Sequence, residues 1–88
     1  MSKPYLEVTY RRGKPFAAYL YLDRRSGDKA ARSERRDDFV VDYADDGRPI
    51  GIEFTRMSGV DLQAVNRVLE EAHAASLAAD DLAPLPAA

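Results

Sequence analysis

Hydrophobic positions along the chain follow two different periods. From Tyr5 to Thr55 they return at every second residue in short runs separated by turn-forming clusters, and from about Val60 they return at every third or fourth residue. The first period belongs to half-buried strands and the second to a helix with one apolar stripe. In "YLEVTY", Leu6, Val8 and Tyr10 share one face while Tyr5, Glu7 and Thr9 share the other. "RRGKP" then supplies a turn through Gly13 and Pro15, and in "FAAYLYL" Phe16, Ala18, Leu20 and Leu22 alternate with Ala17, Tyr19 and Tyr21.

Two further strands are strongly marked. "FVVDYA" directs Phe39, Val41 and Tyr43 inward, and "IGIEFT" directs Ile50, Ile52 and Phe54 inward, with Asp42, Gly51 and Glu53 outward. Asp46-Gly47 between them predicts a tight hairpin turn of the primed type, with Gly47 at positive φ. Residues 23–38 give no apolar face and their charges nearly cancel; a strand and a loop both remain open there. A short polar edge strand within Lys29–Arg35 is favoured, because bare loops of that length are uncommon in compact domains. Gly27 is placed at a turn.

In "SGVDLQAVNRVLEEAHAAS", Leu62, Val65, Val68, Leu69 and Ala72 form one stripe. Asp61 is the expected N-cap with Val60 and Val65 as a hydrophobic staple, and Ser58 with Asp61 is a competing capping box. The expected architecture is therefore α+β: an antiparallel β-meander of four or five strands with one C-terminal amphipathic helix packed on one face. Residues 1–78 form a single domain in this reading, and 79–88 a flexible tail rich in Ala and Pro.

Composition narrows the chemistry. At 88 residues with 45% hydrophobic and 32% charged positions, the chain suits one small globular domain. The net charge of −2 provides no global field for nucleic acid or anionic membrane. There is no cysteine, hence no disulfide framework or thiolate metal site, and no apolar run long enough to span a bilayer. The N-terminal residues do not read as a signal peptide, so a cytoplasmic location is the default expectation. The one histidine, His73, has leucine four residues before and after it and reads as a helix-boundary residue. The acidic pairs Asp45-Asp46 and Asp80-Asp81 lack the spaced oxygen donors of a calcium loop, and no phosphate-binding glycine loop is present. No enzyme activity, cofactor or metal is expected.

The helix-free face is the informative surface. It gathers Tyr5, Glu7, Thr9, Ala17, Tyr19, Tyr21, Val40, Asp42, Glu53 and Thr55. Tyrosine is placed on solvated sheet faces by β-propensity alone, and it is also enriched at interfaces. Tyr5, Tyr19, Tyr21, Asp42 and Glu53 are accordingly the candidate interaction residues, with a protein partner or a second copy of the chain as the expected occupant and no membrane. The alternative is a sheet that binds nucleic acid or a small ligand, in which arginines 11, 12, 24, 25, 32, 35 and 36 gather at the strand ends and Tyr19 and Tyr21 stack bases. Acidic residues interleaved with those arginines favour a self-paired, solvated edge instead.

The strand "AAYLYL", a charged strand after it, and the hairpin "FVVDYADDGRPIGIEF" together resemble the small bacterial family known as domain of unknown function 2283. The resemblance spans about Tyr5 to Met57. It implies a meander-plus-helix fold without assigned activity, and an antitoxin-like or partner-binding role for some members. The turn in "YRRGKPFAAYL" departs from the family's usual acidic turn by being basic.

Overall fold

The computed structural model describes residues 4–22, 27–36, 38–72, 76–82 and 84–85. One antiparallel sheet contains β1 (Tyr5–Arg11), β2 (Lys14–Tyr21), β3 (Arg32–Arg35), β4 (Phe39–Tyr43) and β5 (Pro49–Phe54), and helix α1 (Leu62–Glu71) follows it. The α+β arrangement of five antiparallel strands and one helix is thus the one expected. The order across the sheet is β1-β2-β5-β4-β3, which departs from a plain meander at one step. The hairpin β1–β2 and the three-stranded unit β3–β4–β5 are each local in sequence, and they join along β2 and β5.

Burial explains that step. A central strand must offer apolar side chains to the core, and Ile50, Ile52 and Phe54 of β5 are all buried. Every residue of β3 is exposed, so it belongs at an edge, where charged side chains discourage further pairing. The favoured polar edge strand therefore forms, over Arg32–Arg35 only, paired with β4 from Arg32↔Tyr43 to Arg35↔Val40.

The primed turn lies elsewhere than expected. Arg12 and Gly13, with φ of 53° and 77°, form it between the paired Arg11 and Lys14. At the β4–β5 turn only Gly47 is left-handed, at φ 87°. Gly47 N donates to Ala44 O at 2.9 Å and Ala44 N to Arg48 O at 2.9 Å, giving a three-residue loop with the left-handed residue last. Asp46 holds this loop as an acceptor. Its carboxylate takes the Arg48 backbone N–H at 3.1 Å and the Arg48 Nε–H at 3.1 Å, and these bonds, the backbone one foremost, lower its pKa. Arg48 also grips Asp28 with both terminal nitrogens, at 2.9 and 3.2 Å, and so ties the loop after β2 to the β4–β5 turn.

A bulge reverses part of β2. The register shifts at Thr9/Tyr10 and leaves Phe16 unpaired. Phe16, expected beside Ala18 and Leu20, is 56% exposed, with the Arg11 guanidinium 4.5 Å from its ring centroid. Tyr10, expected in the core, is 54% exposed, because the β2–β5 ladder ends at Ala18↔Phe54 and the far half of the hairpin projects past it.

Helix α1 starts where Asp61 caps it: Oδ1 accepts Gln63 N at 3.0 Å and Ala64 N at 3.3 Å. Val65, Val68 and Leu69 are fully buried in one cluster with Leu20, Phe39, Val41, Ile52 and Phe54, and Val60 and Leu62 pack against its edge. The expected flexible tail over 79–88 is corrected at its described residues. A 3-10 helix covers Ala79–Leu82, and Leu77, Leu82 and Leu85 are buried in the same core. Asn66 accounts for the docking of this segment: its amide donates to Leu77 O at 3.1 Å and accepts from Leu77 N at 2.8 Å, an amide-to-backbone clasp that fixes the chain's return onto the helix. The tail's leucines follow neither strand nor helix period, so nothing in the pattern marks them as core.

Two measurements check this account. Leu69→Ala should lower unfolding free energy by about 2–5 kcal/mol, the range for a fully buried leucine, read from denaturant midpoints. Because folding lowers the Asp46 pKa, its contribution is present above the ordinary carboxylate value, near about 4, and is lost as pH falls through the lower folded value. Asp46→Asn should therefore melt below the parent at neutral pH, with the gap closing as acid protonates the carboxylate in a series of thermal scans.

Candidate functional site

The face away from α1 is organised as cross-strand rows. The register places Tyr5, Tyr21, Gly51, Asp42 and Ser33 side by side in one row, Glu7, Tyr19, Glu53, Val40 and Arg35 in the next, and Thr9 with Ala17 in a third. All five candidate residues, Tyr5, Tyr19, Tyr21, Asp42 and Glu53, lie on this one face.

Gly51 shapes the face. The Tyr19 ring lies across the central strand directly over Gly51, where a Cβ would overlap Tyr19 Oη and Cζ. Only a residue without a side chain leaves that passage open. Through it the Tyr19 hydroxyl reaches β4 and donates to Asp42 Oδ2 at 2.8 Å, while Ser33 Oγ donates to Asp42 Oδ1 at 2.7 Å. Asp42, expected as part of a polar rim, is thus engaged by its own sheet and locks β2, β4 and β3 together across β5. Tyr21 meets Tyr19 edge-on at 4.8 Å between centroids and faces Tyr5 at 6.0 Å, and its hydroxyl lies 3.4 Å from Glu7 Oε1. The result is a held aromatic strip ending in Tyr5, which is 62% exposed, with exposed Glu7 and Glu53 beside it. A concavity of about 190 Å³ opens between Glu7, Thr9, Ala17, Ala18, Tyr19 and Glu53.

Other places offer less chemistry. A cleft of about 180 Å³ beside the helix start is lined by Arg36, Asp38, Phe39, Asp61, Ala64 and Arg67. Asp61 is committed there to the helix cap and Asp38 to Arg56 at 3.4 Å. Among the described residues no three acidic, histidine or cysteine side chains come together to hold a metal ion. His73, Arg24 and Arg25 lie outside the described residues. Arg11 and Arg12 sit on the hairpin at one edge of the sheet and Arg32, Arg35 and Arg36 at the other, so these arginines do not gather into one basic strip. The residues that sequence reasoning placed wrongly are those of the projecting hairpin, above all Phe16, and no pattern in the chain announces a bulge.

Residues 17–58 match the model of a family described as protein of unknown function (DUF2283). Over this segment the chain is similar to that family. No curated protein and no solved structure matches it. The DUF2283 segment opens inside β2 and closes before α1, so it contains Tyr19, Tyr21, Asp42, Gly51 and Glu53 but leaves out β1 and the tip of the hairpin. No helix among the described residues is long and apolar enough to cross a membrane.

The passage over Gly51 can be tested by a double-mutant cycle. Gly51→Ala should cost about 1–3 kcal/mol by overpacking. The same change in a Tyr19→Ala background should cost far less, since the ring it collides with is gone. Equal costs in both backgrounds would show that the ring does not occupy the passage.

Proposed function

We propose that the chain is a non-enzymatic protein-interaction module of the cytoplasm, and that its recognition surface is the helix-free face of the sheet. The supporting observation is the strip Tyr5–Tyr21–Tyr19, held ring against ring and flanked by exposed Glu7 and Glu53. Tyrosines fixed before contact lose little freedom on binding, and such side chains dominate interface energies. The carboxylates favour a partner with basic residues around an apolar patch. A small toxin-like protein, as the family resemblance suggests, is one polypeptide of that kind. Neither a cofactor nor a membrane enters this reading, and nucleic acid is disfavoured by the acidic strip and the divided arginines.

Affinity capture run in parallel with the parent and a Tyr5→Ser/Glu53→Lys variant tests it. The expected outcome is a protein retained by the parent and lost by the variant, with circular dichroism unchanged. Equal capture by both would remove the function from this face.

A further inference from the structure

The open face of the β1–β2 hairpin carries opposite chemistry at its two ends. On the near side of Thr9 and Ala17 stand Glu7, Tyr19 and Tyr21, with Glu53 beside them on β5. On the far side, strand alternation brings Arg11 and its partner Lys14 to the same face, and the bulge adds Phe16 under the Arg11 guanidinium. Arg12 follows at the tip, in a left-handed conformation usually left to Gly, Asn or Asp. Arg11, Arg12, Lys14 and Glu53 have no ion pair among the described residues, and all four are exposed. At the middle of this pattern Thr9 and Ala17 are small, and the concavity beside them is rimmed by Glu7 and Glu53.

Such an arrangement is complementary to itself. A two-fold axis lying between two open faces, across the strands at Thr9 and Ala17, would run the hairpins antiparallel. Strand rise puts Glu7 and Arg11 at roughly equal distances, about 7 Å, on either side of Thr9. The axis therefore sets Glu7 of each copy against Arg11 of the other, brings Lys14 toward the other copy's Tyr19 and Glu53, and offers each Phe16 to the opposite concavity. A two-fold interface needs this reciprocity, in which one surface supplies both halves of every contact.

We infer that the partner of the open face is a second copy of this chain, bound face to face through the β1–β2 hairpin with reciprocal Glu7–Arg11 pairing. This rests on the reading of that face as a contact surface and names its occupant. The basic turn supplies the half of the interface that lies outside the matched family segment, and the tyrosine-rich strip supplies much of the other.

Sedimentation of the purified full chain at tens of micromolar tests the inference. The parent should sediment at about twice 9.8 kDa. Arg11→Glu and Glu7→Arg should each yield monomers, since like charges then oppose at both pairs. Mixed one to one, the two variants should return to the dimer mass, because each supplies the charge that the other lacks. Phe16→Ser, at an exposed position, should also give monomers, through lost packing in place of repulsion. A monomeric parent would overturn the inference, as would two charge-reversed variants that remain dimeric, or a mixture of folded variants that stays monomeric. A parent that gains mass only with a short DNA duplex would overturn it too, and would assign the basic half to a polyanion. A monomeric parent whose capture of another protein still depends on Tyr5 and Glu53 would defeat the dimer alone and leave the interaction-module reading standing.

Discussion

The fold depends on β5 being bonded on both sides. It is the strand through which the β1–β2 hairpin meets the rest of the sheet, with Tyr19↔Glu53 on one flank and Val40↔Glu53 on the other. One of its faces buries Ile52 and Phe54 in the helix cluster, and the other provides the bare backbone at Gly51 that Tyr19 crosses. Core and tyrosine-bearing face are thus two sides of the same six residues. Dispersion and apolar burial act on one side, and a hydrogen-bonded bridge over a missing side chain acts on the other.

What the sequence makes legible follows from periodicity. Val41, Ile52, Val65 and Leu69 recur at spacings fixed by strand and helix geometry, so both elements and their buried faces could be read directly. Asp61 could be read as a cap because its residue type and its place before an apolar stripe agree. Strand order was less accessible, since alternation says which face a residue takes and nothing about which strand lies beside it. Phe16 was misplaced because one unpaired residue reverses the parity of all that precedes it, and a bulge leaves no periodic trace. Leu82 and Leu85 were missed for a related reason: the segment that carries them is held at Leu77 by a side-chain amide on another element, Asn66, and not by any pattern of their own.

The candidate face was legible in its membership and not in its internal wiring. Tyr5, Tyr19, Tyr21, Asp42 and Glu53 could be assigned to one side from alternation alone. That Asp42 would be consumed by Tyr19 and Ser33 needed the register of four strands at once. The consequence is a division of labour within the set. Tyr19 and Asp42 stiffen the sheet, while Tyr5 and Glu53, with Glu7 on the same face outside the set, remain turned to the outside.

The bridge over Gly51 also bears on how the molecule assembles. The β1–β2 hairpin and the β3–β4–β5 unit are built from contacts local in sequence, whereas the seam between β2 and β5 joins segments far apart along the chain and carries the larger loop-closure cost. Tyr19 can reach Asp42 only after that seam has closed, so the aromatic strip has no existence in a half-assembled chain. Any occupant of the face binds the closed seam and not the open one, and by mass action holds it shut. Under the proposed reading of this face, binding and closure of the seam are linked equilibria.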